Sequence, residues 1–68
     1  MRASAIIVGK SYENGKKRQT IRKVLKIAPG PDGILAVIFE EIKAPKNRQG
    51  LRFCITLRSF VSWAKAEI

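Results

Sequence analysis

Apolar positions along the chain fall into four stretches separated by clusters of turn residues, and each stretch has its own period. Ala5-Ile6-Ile7-Val8 is short and β-branched and stops at Gly9, which predicts a first strand. The segment from Lys10 to Gln19 follows as a polar loop, and its Asn14-Gly15 pair suits a tight turn because both residues tolerate positive φ. From Thr20 to Ile27, Ile21, Leu25 and Ile27 share one parity, while Thr20, Arg22, Val24 and Lys26 share the other. Lys23 interrupts the apolar parity. This pattern predicts a half-buried strand with Arg22 and Lys26 on the same outer side, about 13 Å apart at two strand repeats.

Pro29-Gly30-Pro31-Asp32-Gly33 forces a turn, and Ile34 to Phe39 is then apolar on both parities. Such a strand is expected to be covered on both faces, the second by the C-terminal helix or by another subunit, so a homodimer is one expectation. Ala44 to Gly50 forms a second basic loop that Pro45 keeps out of the sheet. Leu51, Phe53, Ile55 and Leu57 alternate cleanly with Arg52, Cys54, Thr56 and Arg58, predicting a strand with one core face and one exposed or half-covered face. Leu57, Phe60, Val61 and Ala64 recur at helical spacing behind Thr56 or Ser59 as N-cap, which predicts one to two turns of helix. Lys65 to Ile68 is expected to close the barrel as a last short strand.

These elements predict an all-β fold in one domain spanning residues 1–68: a small, strongly curved five-stranded barrel with a short helical turn near the C-terminus. The order of elements resembles the Src-homology-3-like barrel. Gly9-Lys10-Ser11-Tyr12, followed by Arg22-Lys23-Val24-Leu25-Lys26-Ile27, is similar to the opening of KOW and Tudor-type barrels, in which a glycine turn precedes a basic strand; Gln19 and Thr20 stand where the KOW pattern has its glycine. Thr56-Leu57-Arg58-Ser59-Phe60-Val61-Ser62-Trp63-Ala64 also resembles the ending of short, uncharacterised proteins of bacterial mobile elements. Small barrels of this kind host nucleic-acid binding, peptide binding and assembly, so the resemblance speaks to fold more than to function.

Charge narrows the function. Fourteen Lys and Arg against five Asp and Glu give a formal net charge of +9. That excess keeps a small domain soluble and also favours polyanionic partners. The expected interface holds phosphates with Lys16, Lys17 and Arg18 in the first loop, Arg22 and Lys26 on the second strand, and Lys46 and Arg48 in the later loop. Tyr12, beside the first basic loop, either stacks on a base or sugar or anchors the loop against the barrel. Trp63, among Phe60, Val61 and Ala64, is expected in the core or at a dimer contact. The expected partner is nucleic acid, DNA or RNA, bound with weak sequence preference and about micromolar affinity. The alternative from another class is an assembly module that docks on an acidic partner or oligomerises through Ile34 to Phe39.

Catalysis is not expected. There is no histidine, Glu40 and Glu41 point to opposite faces of any strand that contains them, and no glycine-rich phosphate loop precedes a helix. Cys54, the single cysteine, lies between Phe53 and Ile55 and reads as a packed structural thiol. With one cysteine and no histidine, neither an internal disulfide nor a usual zinc site is expected, and neither a cofactor nor a small-molecule substrate is called for. The apolar runs are too short for a signal peptide or a membrane span, and a basic amphipathic helix for lipid surfaces is lacking, so the expected compartment is the cytoplasm.

Overall fold

The computed structural model describes residues 1–15, 20–44 and 48–68. Its five strands are β1 (Ser11–Glu13), β2 (Ile21–Pro29), β3 (Leu35–Lys43), β4 (Arg52–Thr56) and β5 (Ala66–Glu67), with one helix, α1 (Leu57–Trp63), and a short 3-10 turn at Ala3–Ala5. The strands form one antiparallel sheet in the order β4-β3-β2-β1-β5. β4 and β5 are its two margins and are not paired with each other, so the sheet is open where a closed barrel was expected. Among the described residues no helix is long and apolar enough to cross a membrane.

The longest strands, β2 and β3, flank the turn that the Pro-Gly-Pro-Asp-Gly cluster forces. There the Gly33 N–H donates to the Gly30 carbonyl at 2.9 Å, the Gly30 N–H donates to the Ile34 carbonyl at 2.9 Å, and the Ile34 N–H donates to Asp32 Oδ1 at 3.0 Å. The side-chain carboxylate thus takes a backbone donor that the tight turn leaves over. After β4 the chain turns directly into α1. Thr56 is extended and its Oγ1 accepts the Ser59 N–H at 3.1 Å, so of the two expected N-caps Thr56 is the one observed. The helix lays Phe60 on the inner face of the sheet, where its ring meets Tyr12 edge-on at 5.7 Å, Phe39 at 5.6 Å and Trp63 at 5.5 Å. Ile6, Val24, Val37 and Ala64 complete this core, with Ile27, Ile55, Leu57 and Val61 packed around it. Burying a ring such as that of Phe60 stabilises the fold by about 1.5–3 kcal/mol. β5 then returns along β1, pairing Ala66 with Glu13 and Glu67 with Tyr12.

Three features depart from the alternation read along the chain. Ala5 to Val8 is not a strand: Ala3–Ala5 is a 3-10 turn, Ile6 is buried, and Ile7 and Val8 are exposed. The sheet partner expected for this segment is replaced by a side chain, because the Tyr12 hydroxyl donates to the Ala5 carbonyl at 2.7 Å and accepts the Ile7 N–H at 2.8 Å. The first strand lies instead in the segment read as loop, and it begins behind a bulge at Gly9, whose φ of 90° no side-chain-bearing residue adopts readily. The Gly9 N–H donates to the Val24 carbonyl, and the Val24 N–H donates to the Lys10 carbonyl.

The second departure sets the faces of β2. Val24 pairs with Phe39 and Lys26 with Ile38, so Leu25 is an extra residue that reverses the alternation. Upstream of it Arg22 and Val24 face inward; downstream Ile27 does, while Lys26 faces out. Arg22 and Lys26 therefore lie on opposite faces, not on one outer side. The third departure is that α1 covers the face of β3 carrying Val37 and Phe39, leaving the Ala36 and Ile38 face open.

Candidate nucleic-acid interface

Register places the outward residues of the three wide strands in a grid. Lys23 of β2 stands beside Glu40 of β3 and Arg52 of β4; Lys26 stands beside Ile38 and Cys54; Ala28 stands beside Ala36 and Thr56. Lys23, Lys26 and Arg52 are exposed. Lys23 and Lys26 are separated by two residues of the facing strand, about 7 Å, and Arg52 lies two strands across, about 10 Å from Lys23. Glu40 partly offsets this charge through Arg52, whose Nε lies 3.5 Å from Glu40 Oε1. Arg52 remains 70% exposed, so the pair adds little to stability and leaves the guanidinium available. From the Lys26 row toward the β2–β3 turn runs a shallow depression of about 180 Å³ lined by Lys26, Ala28, Pro29, Gly30, Ala36, Ile38 and Cys54. The outer face thus carries an apolar strip with the cations at one end of it.

The inner face also holds charge, in the opposite condition. Arg22 is 17% exposed, and its guanidinium carbon lies 4.5 Å from the centroid of the Phe39 ring and 4.1 Å from that of Trp63. Desolvation between these rings lowers its pKa from the ordinary arginine value; the Glu41 carboxylate acts in the raising direction and the Arg48 charge in the lowering one. Glu41 is buried, with Oε2 3.7 Å from Arg22 Nε and Oε1 3.7 Å from Arg48 Nε. These separations are ionic contacts longer than hydrogen bonds, and Arg22 Nε and Glu41 Oε2 have no hydrogen-bond partner among the described residues. One carboxylate between two guanidiniums ties the loop after β3 to the core. Glu40 and Glu41 do point to opposite faces, as strand geometry requires.

The residues expected to contact phosphates are therefore divided. Lys26 is on the outer face. Arg22 is an internal strut, because the bulge at Leu25 turns its side chain toward the core. Arg48 is 45% exposed and engaged with Glu41. Lys16, Lys17, Arg18 and Lys46 lie outside the described residues. Tyr12 does not present a stacking ring: it is fully buried, edge-on to Phe60, with its hydroxyl engaged by the N-terminal turn. Of its two expected roles the anchoring one is observed. Cys54, expected as a packed thiol, is exposed on the outer face. Lys23 and Arg52 were not among the expected contacts. Arg52 was legible as an outward residue of a cleanly alternating strand, whereas Lys23 looked like a defect in an apolar face until the bulge reassigned that face.

Comparison with family models, with curated proteins and with solved structures found no match to the chain.

Proposed function

We propose that the chain is a non-enzymatic module that binds nucleic acid through phosphate contacts on the outer face of its sheet, with weak sequence preference. The observation that carries this reading is the placement of Lys23 and Lys26 on one exposed face with Arg52 across from them. Cations held on the strands of one sheet keep fixed spacings, and a polyanion releases counterions from several contacts at once when it lies across them. The net charge of +9 adds a long-range attraction that falls with ionic strength. The strip beside Lys26 carries Ile38 and Cys54 and no aromatic ring, which favours backbone contact over base stacking. Antiparallel strands with a short helix before the last one support placing the chain with Src-homology-3-like sheets of the KOW and Tudor layout, although β4 and β5 are not joined as the closed form requires.

The test is fluorescence anisotropy of a labelled duplex titrated with the protein at about 50 and about 200 mM salt. Micromolar binding that weakens steeply at the higher salt is expected, and K23S/K26S should lower the slope of log affinity against log salt by about 2, one for each phosphate contact removed. Absence of binding to duplex and to single-stranded DNA and RNA at the lower salt overturns the reading.

A second reading, assembly, is favoured by the open apolar strip around Ile38, which a solvated sheet face has no reason to carry.

A further inference from the structure

We propose that two copies of the chain join through the free edge of β4, antiparallel, about a two-fold axis passing through Cys54. The inference does not depend on nucleic-acid binding.

β3 has neighbours on both sides, so its apolar run cannot recruit a second copy through its backbone; the edge that can is that of β4. Its hydrogen-bonding phase follows from the bulge at its start. The Glu41 N–H donates to the Leu51 carbonyl at 2.9 Å, and the Gly50 N–H donates to the Glu41 carbonyl at 2.7 Å, with Gly50 at φ 83°. Alternation from this bonded position makes Phe39–Phe53 and Val37–Ile55 the hydrogen-bonded pairs of the β3–β4 ladder. Arg52 and Cys54 belong to the other class, and their N–H and C=O groups point away from β3; the Thr56 N–H does the same, while the Thr56 C=O, as that of an N-cap, is taken by α1. Along this edge some of the devices that blunt edge strands are missing: β4 contains no proline and no lysine, and its bulge lies before the free segment, which leaves its shortness and the single charge of Arg52.

Charge and side-chain pairing select the register. An axis through Cys54 makes the two Cys54 residues a hydrogen-bonded pair and sets Arg52 opposite the partner's Thr56, so neither copy brings a guanidinium against its equivalent. Shifting the axis to Phe53 pairs Arg52 with the partner's Cys54 but sets Thr56 against the partner's bulge at Gly50, and shifting it to Arg52 stacks two arginines, a like-charge cross-strand pair. On the inner side the same register lays Phe53 against the partner's Ile55. Phe53 is 38% exposed although its ring already meets Phe39 at 5.8 Å, and an aromatic paired with a β-branched residue covers that flank. An axis perpendicular to the sheet keeps both outer faces on one side, giving one continuous surface in which the β2 lysine rows of the two copies stand about 24 Å apart, five strand spacings.

The contact is short and belongs with the small interfaces, below about 1,200 Å², so a dimer that dissociates in the micromolar to submillimolar range is expected. Sedimentation velocity on the protein alone, without nucleic acid, reads it out. Wild type should move from monomer to dimer as concentration rises. C54P, which removes an edge N–H not used by β3, and C54D, which places two carboxylates on the axis, should both stay monomeric with unchanged far-ultraviolet circular dichroism. A short bis-maleimide should join wild-type copies through Cys54 at concentrations where the dimer forms, a readout that needs no variant to fold. A wild type that is monomeric up to about 1 mM overturns the proposal, being weaker than specific association at this scale. A dimer that survives both substitutions, or that the reagent fails to join, places the contact elsewhere and overturns it equally.

Discussion

Arg22 and Lys26 stand on the same strand, four residues apart, and meet opposite fates. Arg22 is enclosed by Phe39 and Trp63 and neutralised by a buried carboxylate; Lys26 projects from the other face beside Ile38. The guanidinium suits the inner site because it is planar, weakly hydrated and stacks on rings, whereas an ammonium would lose its hydration there at greater cost. The lesson is that a net charge of +9 overstates the charge a partner can reach. Part of it is structural, and what separates the two parts is a single extra residue, Leu25, in the ladder.

The largest expected effect tests the inner half of the comparison. E41A leaves two guanidiniums facing an uncompensated site and should destabilise the protein by about 3–5 kcal/mol, measured by urea unfolding. The double variant R22M/E41Q removes both opposed charges and should recover most of that loss, since a buried ion pair is often replaceable by apolar volume. If E41A costs as little as a surface change, Arg22 is not an internal strut and the contrast with Lys26 collapses. Y12F, which keeps the ring against Phe60 but strands the Ala5 carbonyl and the Ile7 N–H, should cost about 1–3 kcal/mol and show itself as faster hydrogen exchange at Ile7.

Deleting Leu25 sharpens the comparison further. Because that residue is the bulge, its removal should leave Val24 inward and Lys26 outward in a regular ladder, and the variant should fold; deleting Ile27 instead should put Ala28 opposite Val37, shift the residues after it by one and unfold the chain. Thermal unfolding of the two deletions separates these outcomes. The smallest stability effect belongs to the outer face, where K23S/K26S should change unfolding free energy by no more than about 0.5 kcal/mol. Its consequence should appear in binding alone, and a large stability loss there would show that the outer lysines are structural too.

Much of the local architecture was legible along the chain. The alternation from Leu51 to Arg58 matches the strand β4 over Arg52–Thr56, although of its expected core face Leu51 and Phe53 are exposed and Ile55 is half-buried; Thr56, one of the two expected N-caps, and the spacing of Leu57, Phe60 and Val61 match α1, and the Pro29 to Gly33 cluster matches the turn joining β2 and β3. Each rests on interactions between residues close in sequence. The candidate interface was less legible, because it depends on which face of β2 is which. A strand with one inserted residue reads as a strand with one defect, and Lys23 looked like that defect while Leu25 was the actual insertion.

The first strand failed for a related reason. Ala5 to Val8 has strong β-propensity, but propensity is weak beside the alternative that Tyr12 offers from five and seven residues away, two hydrogen bonds and a ring buried on Phe60. By itself the sequence determined β2, β3, β4 and β5 as strands, the helix, the turn between β2 and β3 and the excess of positive charge, since these follow from short-range sterics, capping and composition. Tertiary structure alone decided that the sheet stays open, that β4 lies at its margin, and that Arg22 is core while Lys23 joins Lys26 on the surface. Those outcomes turn on register between strands, and a shift of one residue exchanges the two faces at no cost that the local sequence records.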